Sequence, residues 1–302
     1  MNGFSTLMWW LLWLIGRLPL PLLYSFGSLY GRAQLLLNTK ICRVARINLE
    51  RCFCERTAEQ LRIMLRNFLI ERGRELAITP AVLTRQVDSL RRMITSVEGG
   101  VALCEAMAAG PVVLLNAHIG ALLLGGCMRE FSATWFSQQQ KGLFEPILDR
   151  RRNSLAIRGY VYTDTTGVRK ALGELKNGGC VGVFCDQDPD RRSGRVLASF
   201  FGAPAYTSTL PVKLIQAGGA RAFFYLCIRH PDATHYSLHI IPVNQQVEQR
   251  DRQPDNTAAA QALNDQLEAI IRRHPNHFDW SYERFRRANK GMYKPAKKRA
   301  CH

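Results

Sequence analysis

An α/β fold, with a central, mostly parallel sheet flanked by helices, follows from three features of the sequence. Short unbroken apolar runs, Val112–Leu115 and Cys180–Cys185, have the composition of strands buried on both faces. Longer segments with helical spacing lie between and around them, so strands and helices alternate along the chain. Clusters of Gly, Pro and Asn mark the transitions. At 302 residues and 47% hydrophobic, the chain is long and apolar enough for one large core.

The first element is Phe4–Ile15, strongly apolar and carrying Trp9, Trp10 and Trp13. No basic residue precedes it, which argues against a secretory signal with its positive n-region. It is shorter than the roughly twenty residues needed to cross a bilayer. Continuing past Arg17, Pro19 and Pro21 to Tyr30 supplies the length, with interruptions. Residues 1–30 are therefore expected to form a membrane anchor, either a bent span or an interfacial helix, the alternative being a buried core helix. Arg32, Lys40, Arg43 and Arg46 follow, and the positive-inside rule places residues 31–302, the α/β domain, on the cytoplasmic side.

Lys40–Leu76 has helical periodicity, with a turn before Thr57 and an N-cap pattern, Thr57 with Gln60 three residues on. Leu61, Met64, Leu65, Phe68 and Leu69 share one face; Arg62, Arg66, Arg72 and Arg74 lie beside it. Met93–Val97 reads as an edge strand and Gly100–Ala109 as a helix leading into Val112–Leu115. That strand runs into a small-residue turn, Asn116-Ala117-His118-Ile119-Gly120, and a second apolar run to Gly126. His118 thus stands at a strand's carboxyl end, where open α/β sheets bind ligands. With an unperturbed pKa of about 6.5, a histidine there suits proton abstraction from a hydroxyl; the plainer alternative is one bonded to neighbouring backbone.

Further along, Ala133–Gln138 is expected to be a strand and Gly142–Gly159 a helix bearing Arg150, Arg151 and Arg152. Gly167–Lys176 is a helix closed by Asn177-Gly178-Gly179. Cys180–Cys185 ends in a polar loop, Asp186 to Arg195, at the same sheet edge as His118. Ser199–Thr209 reads as turn-rich and hydroxyl-rich, with Thr207 and Thr209 as candidate caps for a helix over Pro211–Ala217. Ala222–Arg229 and Tyr236–Ile241 alternate as strands, Asn256–Arg273 is an amphipathic helix, and Lys290–Arg299 a basic tail, disordered or lipid-facing.

The formal net charge of +17 implies an anionic partner. No nucleic-acid motif appears, and the tryptophan-rich start favours an anionic membrane surface. The nine cysteines form no CxxC pair and read as free thiols of a reducing compartment. Cys52-Phe53-Cys54 has no second ligand pair, so no metal site is expected.

These segments together resemble the bacterial late acyltransferases of lipid A biosynthesis, within the glycerolipid-acyltransferase-like fold. The resemblance runs from Arg46-Ile47-Asn48-Leu49 to Trp280–Phe285 and is most specific over Leu175–Thr209, where an acidic loop after a strand precedes Phe200-Phe201-Gly202. It implies acyl transfer from acyl carrier protein, or acyl-coenzyme A, to a hydroxyl of a membrane lipid such as a lipid A precursor, at the cytoplasmic face of the bacterial inner membrane, without a cofactor. The family signature is a histidine followed five positions later by Asp or Glu; His118 matches, but Leu123 stands at the acidic position. Three accounts follow. Asp186 or Asp188 orients His118 instead; or His118 acts alone, at a cost of about 10²–10⁴ in rate; or the chain is a weak or inactive homologue that binds lipid or carrier. The resemblance also assigns Arg152 to substrate phosphate or the carrier's acidic surface, with Arg191 and Thr207 as further substrate-binding positions. The backbone N–H groups of the His118–Gly120 turn are the expected oxyanion donors.

Overall fold

The computed structural model describes residues 3–137, 145–155, 158–189, 194–230, 234–248 and 256–294. Four helices open the chain: α1 (Gly3–Gly16), α2 (Leu20–Leu36), α3 (Lys40–Cys52) and α4 (Ala58–Thr84). The strands are β1 (Ile94–Glu98), β2 (Val112–Asn116), β3 (Thr134–Ser137), β4 (Gly159–Tyr162), β5 (Cys180–Phe184), β6 (Arg195–Phe200), β7 (Ala203–Ser208), β8 (Arg221–Arg229) and β9 (Tyr236–Pro242). Seven of them form one sheet in the order β1-β9-β8-β2-β5-β3-β4, and β6 pairs with β7 alone.

Every pairing in the large sheet is parallel except β8 with β9. That exception follows from a direct return between two strands close in sequence; the parallel strands need crossovers. Crossover helices include Gly100–Ala109 and Thr165–Lys176. Val112 to Leu115 are fully buried and alternate between the two faces: Val113 and Leu115 enter one core cluster, Val112 and Leu114 the other. Burying each such side chain contributes about 1.5–3 kcal/mol, which is why β2 can occupy the centre of the sheet.

The register decides where the site forms. β2 lies against β5 with Val112 opposite Cys180 and Asn116 opposite Phe184. His118 and Asp186 each come two residues after the last pair, so continuing the strands brings them side by side.

Among the described residues no single helix is long and apolar enough to cross a membrane, but α1 from Thr6 onward and α2, bent by 106°, together have the length and composition of a broken span. The bend is fastened by Arg85, which donates to the carbonyls of Gly16 and Leu18, both at 2.7 Å. α2 lies tightly on α4: a Cβ on Gly27 or Gly31 would collide with α4 backbone, and one on Gly73 with the Gly27 carbonyl. Leu7, Trp10, Leu14, Phe26 and Leu29 on this hairpin remain exposed.

The Thr57–Gln60 capping box forms as expected, but α4 continues beyond Leu76 to Thr84, through Pro80. The helix expected over Gly142–Gly159 is confined, among the described residues, to Glu145–Ser154, and Gly159 opens β4. Ser199–Thr209 is largely a hairpin rather than turns: β7 alternates buried and open positions, and Phe201-Gly202 make the connection with positive φ at both residues. Neither threonine caps the helix Leu210–Gly218; Thr209 occupies the N-cap position without a side-chain bond. The part of the basic tail from 295 onward lies outside the described residues.

Candidate active site

His118 leaves β2 as its register requires and meets Asp186 directly. The imidazole Nδ1 is 3.1 and 3.0 Å from the two carboxylate oxygens, and the His118 backbone N–H donates to Oδ2 at 3.1 Å. Asp186 is 4% exposed, while about a third of the His118 side chain reaches solvent. Phe184 lies against the ring at 4.9 Å between centroids. In the neutral imidazole this arrangement places the proton on Nδ1 and leaves the Nε2 lone pair as a base. Burial alone would lower the His118 pKa, but the charge and hydrogen bond of Asp186 outweigh it and raise the value. For Asp186, burial pushes upward and the His118 interactions prevail, holding it below its usual range.

His118 opens on a pocket of about 290 Å³. α4 supplies one wall with Phe68, Leu76, Ile78 and Val82, and the short helix Leu122–Gly125 another. Leu123 is in that second wall, where the resemblance expects a carboxylate; it adds apolar surface beside His118. The remaining wall is the segment Asn276–Asp279. Ile119 and Phe278 form an antiparallel bridge there, with the Asp279 N–H donating to the His118 carbonyl at 2.8 Å and the Gly120 N–H to that of His277 at 3.0 Å. Side chains alternate across such a pair. Ile119 and Phe278 are therefore in the core, while His118, Gly120, His277 and Asp279 all face the pocket.

The expected oxyanion donors are not available. The His118 N–H is bonded to Asp186, that of Ile119 to the Ala117 carbonyl, Gly120 to His277 and Ala121 to Cys227. Asp186, the turn itself, the C-terminal segment and β8 take one of those amides each.

The other expected residues do not share one setting. Asp188 is buried and turns to Arg287, 3.2 Å away, instead of to His118; Arg287 also donates to the carbonyls of Asp188 and Pro189. Thr207 is fully buried outside the pocket, accepting from Asn264 at 3.0 Å and Arg284 at 3.2 Å. Gly120 lines the pocket at φ 68°, where a Cβ would collide with the Cys227 carbonyl. Arg152 belongs to the helix Glu145–Ser154, with its side chain outside the described residues, as is all of Arg191.

Sequence reasoning missed the polar groups of the far wall. Glu71 is buried in a pair with Arg229, Nη2 to Oε2 2.5 Å, and also takes Arg74 at 2.6 Å. Arg72 lies 3.7 Å from Asp279, and Glu75 3.7 Å from His277. Glu71, Arg72 and Glu75 stand in the charged stretch Glu71–Glu75 of α4, interrupted at Gly73, which reads as a solvated face until the sheet is set against it. Among the described residues no group of His, Cys, Asp and Glu is arranged to hold a metal ion, and the eight described cysteines are free thiols.

A mostly parallel α/β sheet with a carboxylate-held histidine at its carboxyl edge, opening on an apolar slot, has the arrangement that general-base chemistry requires. The chain belongs to the bacterial lipid A biosynthesis acyltransferase family, whose model matches residues 3–287, and is accordingly an acyltransferase. It is 27% identical over 282 residues to the lipid A biosynthesis palmitoleoyltransferase of Escherichia coli K12, covering 91% of this chain and 88% of that protein. It is 26% identical over 303 residues to the lipid A biosynthesis lauroyltransferase of the same organism, covering 93% and 90%. A solved 1-acyl-sn-glycerophosphate acyltransferase from Thermotoga maritima superposes with a TM-score of 0.34 at 14% identity, over 83% of this chain and 94% of that one.

Proposed function

We propose that this chain transfers a fatty acyl group from a thioester donor, acyl carrier protein or acyl-coenzyme A, to a hydroxyl of a membrane lipid, a lipid A precursor or a related lipid. The observation that carries this reading is the His118–Asp186 pair at 3.0 Å, opening on the apolar slot. His118 Nε2 takes the proton of the acceptor hydroxyl as its oxygen attacks the thioester carbonyl. The carbon–sulfur bond then breaks, and the departing thiolate receives that proton. Asp186 keeps the lone pair on Nε2 and stabilises the imidazolium between the two transfers. Arg152 and Arg191 are assigned to anionic groups of acceptor or carrier.

The bent α1–α2 pair, which covers most of the expected anchor, seats the protein on the anionic cytoplasmic face of the bacterial inner membrane through its exposed Leu, Trp and Phe side chains. α4 supports this placement, because one helix carries both the hairpin, through Gly73, and the pocket wall. The test supplies the purified protein with lauroyl and palmitoleoyl thioesters of acyl carrier protein and coenzyme A, with a lipid A precursor and a lysophospholipid as acceptors. Acylated lipid is expected, with His118→Ala reducing its formation about 10²–10⁴-fold. An unaltered rate in His118→Ala refutes the assignment.

A further inference from the structure

The pocket holds a second histidine–carboxylate pair that the mechanism above does not use. His277 projects from the bridge on the same face as His118, is 10% exposed, and lines the pocket. Its Nδ1 is sealed from solvent and 3.7 Å from Glu75 Oε1, and neither atom has a hydrogen-bond partner. That leaves Nε2 as the ring nitrogen facing the open side. The acyl-transfer step meanwhile lacks its oxyanion donors, since the turn amides are all committed.

We propose that Glu75 and His277 form the donor half of the acyl-transfer site: His277 donates its Nε2–H to the thioester carbonyl oxygen as negative charge develops there, and Glu75 holds the imidazole in the form that does so. The pair is well made for this. With one proton between them and the 3.7 Å gap closed to a hydrogen bond, it is either a neutral carboxyl donating to Nδ1 of a neutral imidazole, or a carboxylate accepting from an imidazolium. Both forms carry hydrogen on Nε2. Only loss of that proton would put a lone pair there; burial, the largest influence on Glu75, raises its pKa over the opposing hydrogen bond and charge of His277. Of the other charges felt by Glu75, Glu71 pushes the same way and Arg229 the opposite way. His118 with Asp186 accepts a proton, His277 with Glu75 donates a hydrogen bond, and their carboxylates keep them in opposite tautomers. No bond to His277 is made or broken; the hydrogen bond is released when the carbonyl re-forms.

This inference rests on the acyl-transfer reading, and the test separates the two. Turnover is measured with lauroyl-coenzyme A and lauroyl-carrier donors, and donor affinity with the thioether analogue lauryl-S-coenzyme A, for the native chain, His277→Ala, His277→Gln, Glu75→Gln and Glu75→Leu. His277→Ala is expected to lower kcat about 10²–10³-fold while thioether affinity stays within about threefold. His277→Gln restores part of the rate through its amide N–H. Glu75→Gln, which can still donate to Nδ1, retains more activity than Glu75→Leu. Native kcat in His277→Ala overturns the proposal, as does a parallel loss of turnover and thioether binding, the mark of a packing role. A native chain that binds the thioether but acylates no lipid hydroxyl overturns the acyl-transfer reading, and this inference with it.

Discussion

Replacing Asp186 by Asn is the most incisive perturbation, because the geometry fixes its outcome. One carboxylate oxygen accepts the His118 backbone N–H and both lie within 3.1 Å of Nδ1. An asparagine must keep its oxygen on the backbone N–H, which leaves its NH₂ facing Nδ1. The amide then donates to Nδ1, the ring proton moves to Nε2, and the base is lost although the shape is unchanged. Damage of this type costs about 10³–10⁴ in rate, about 4–5.5 kcal/mol of transition-state stabilisation.

The pH dependence supplies a second reading of the same variant. Asp186 raises the His118 pKa against burial, so the acid limb of kcat/KM moves to lower pH when the carboxylate goes, as the plateau falls. Stability follows linkage. The raised His118 contributes stability below its unfolded pKa and loses it as pH rises through the folded value. The depressed Asp186 contributes above its unfolded pKa and loses it as pH falls through the folded value. In the variant both contributions vanish, flattening thermal stability against pH across that window. The assay is kcat/KM from pH 5 to 9 beside melting curves at the same pH values. Native activity, or an unmoved acid limb, would falsify the orienting role of Asp186.

Two further outcomes follow from the walls of the pocket. Leu123→Glu, which supplies the carboxylate that the resemblance expects there, should give no gain in turnover, because Nδ1 already has its partner; a rise of tenfold or more (about 1.4 kcal/mol) would mean that Asp186 does not hold the histidine. Gly120→Ala forces a side chain onto a φ of 68° and into the Cys227 carbonyl, so the melting temperature should drop, corresponding to about 1–3 kcal/mol of strain; activity should fall with it, since His118 precedes this turn, and an unchanged melting curve contradicts the close approach of Gly120 to β8.

Much of the fold was legible because buried parallel strands leave an unmistakable pattern. Val112–Leu115 and Cys180–Cys185 are apolar at consecutive positions since both faces of the sheet are covered, and the strands they predict occupy the centre of it. β4 was hidden because Gly159–Tyr162 is an edge strand with only one fully buried position, and the β6–β7 hairpin because its Gly, Pro and hydroxyl residues resemble loop composition.

The site divides in the same way. Sequence alone determined that His118 emerges from a strand end and that acidic residues emerge from another at the same edge, since both facts are local. Which carboxylate reaches the imidazole depended on the pairing of β2 with β5, which puts Asp186 beside His118 while Arg287 takes Asp188. The far wall was decided by tertiary structure entirely: Glu75 and His277 are about two hundred residues apart, and only the packing of α4 over the 118–120 turn and its bridge to Phe278 sets them together. Strand character is written in neighbouring residues; the meeting of distant side chains is a property of register and packing, which no local pattern encodes.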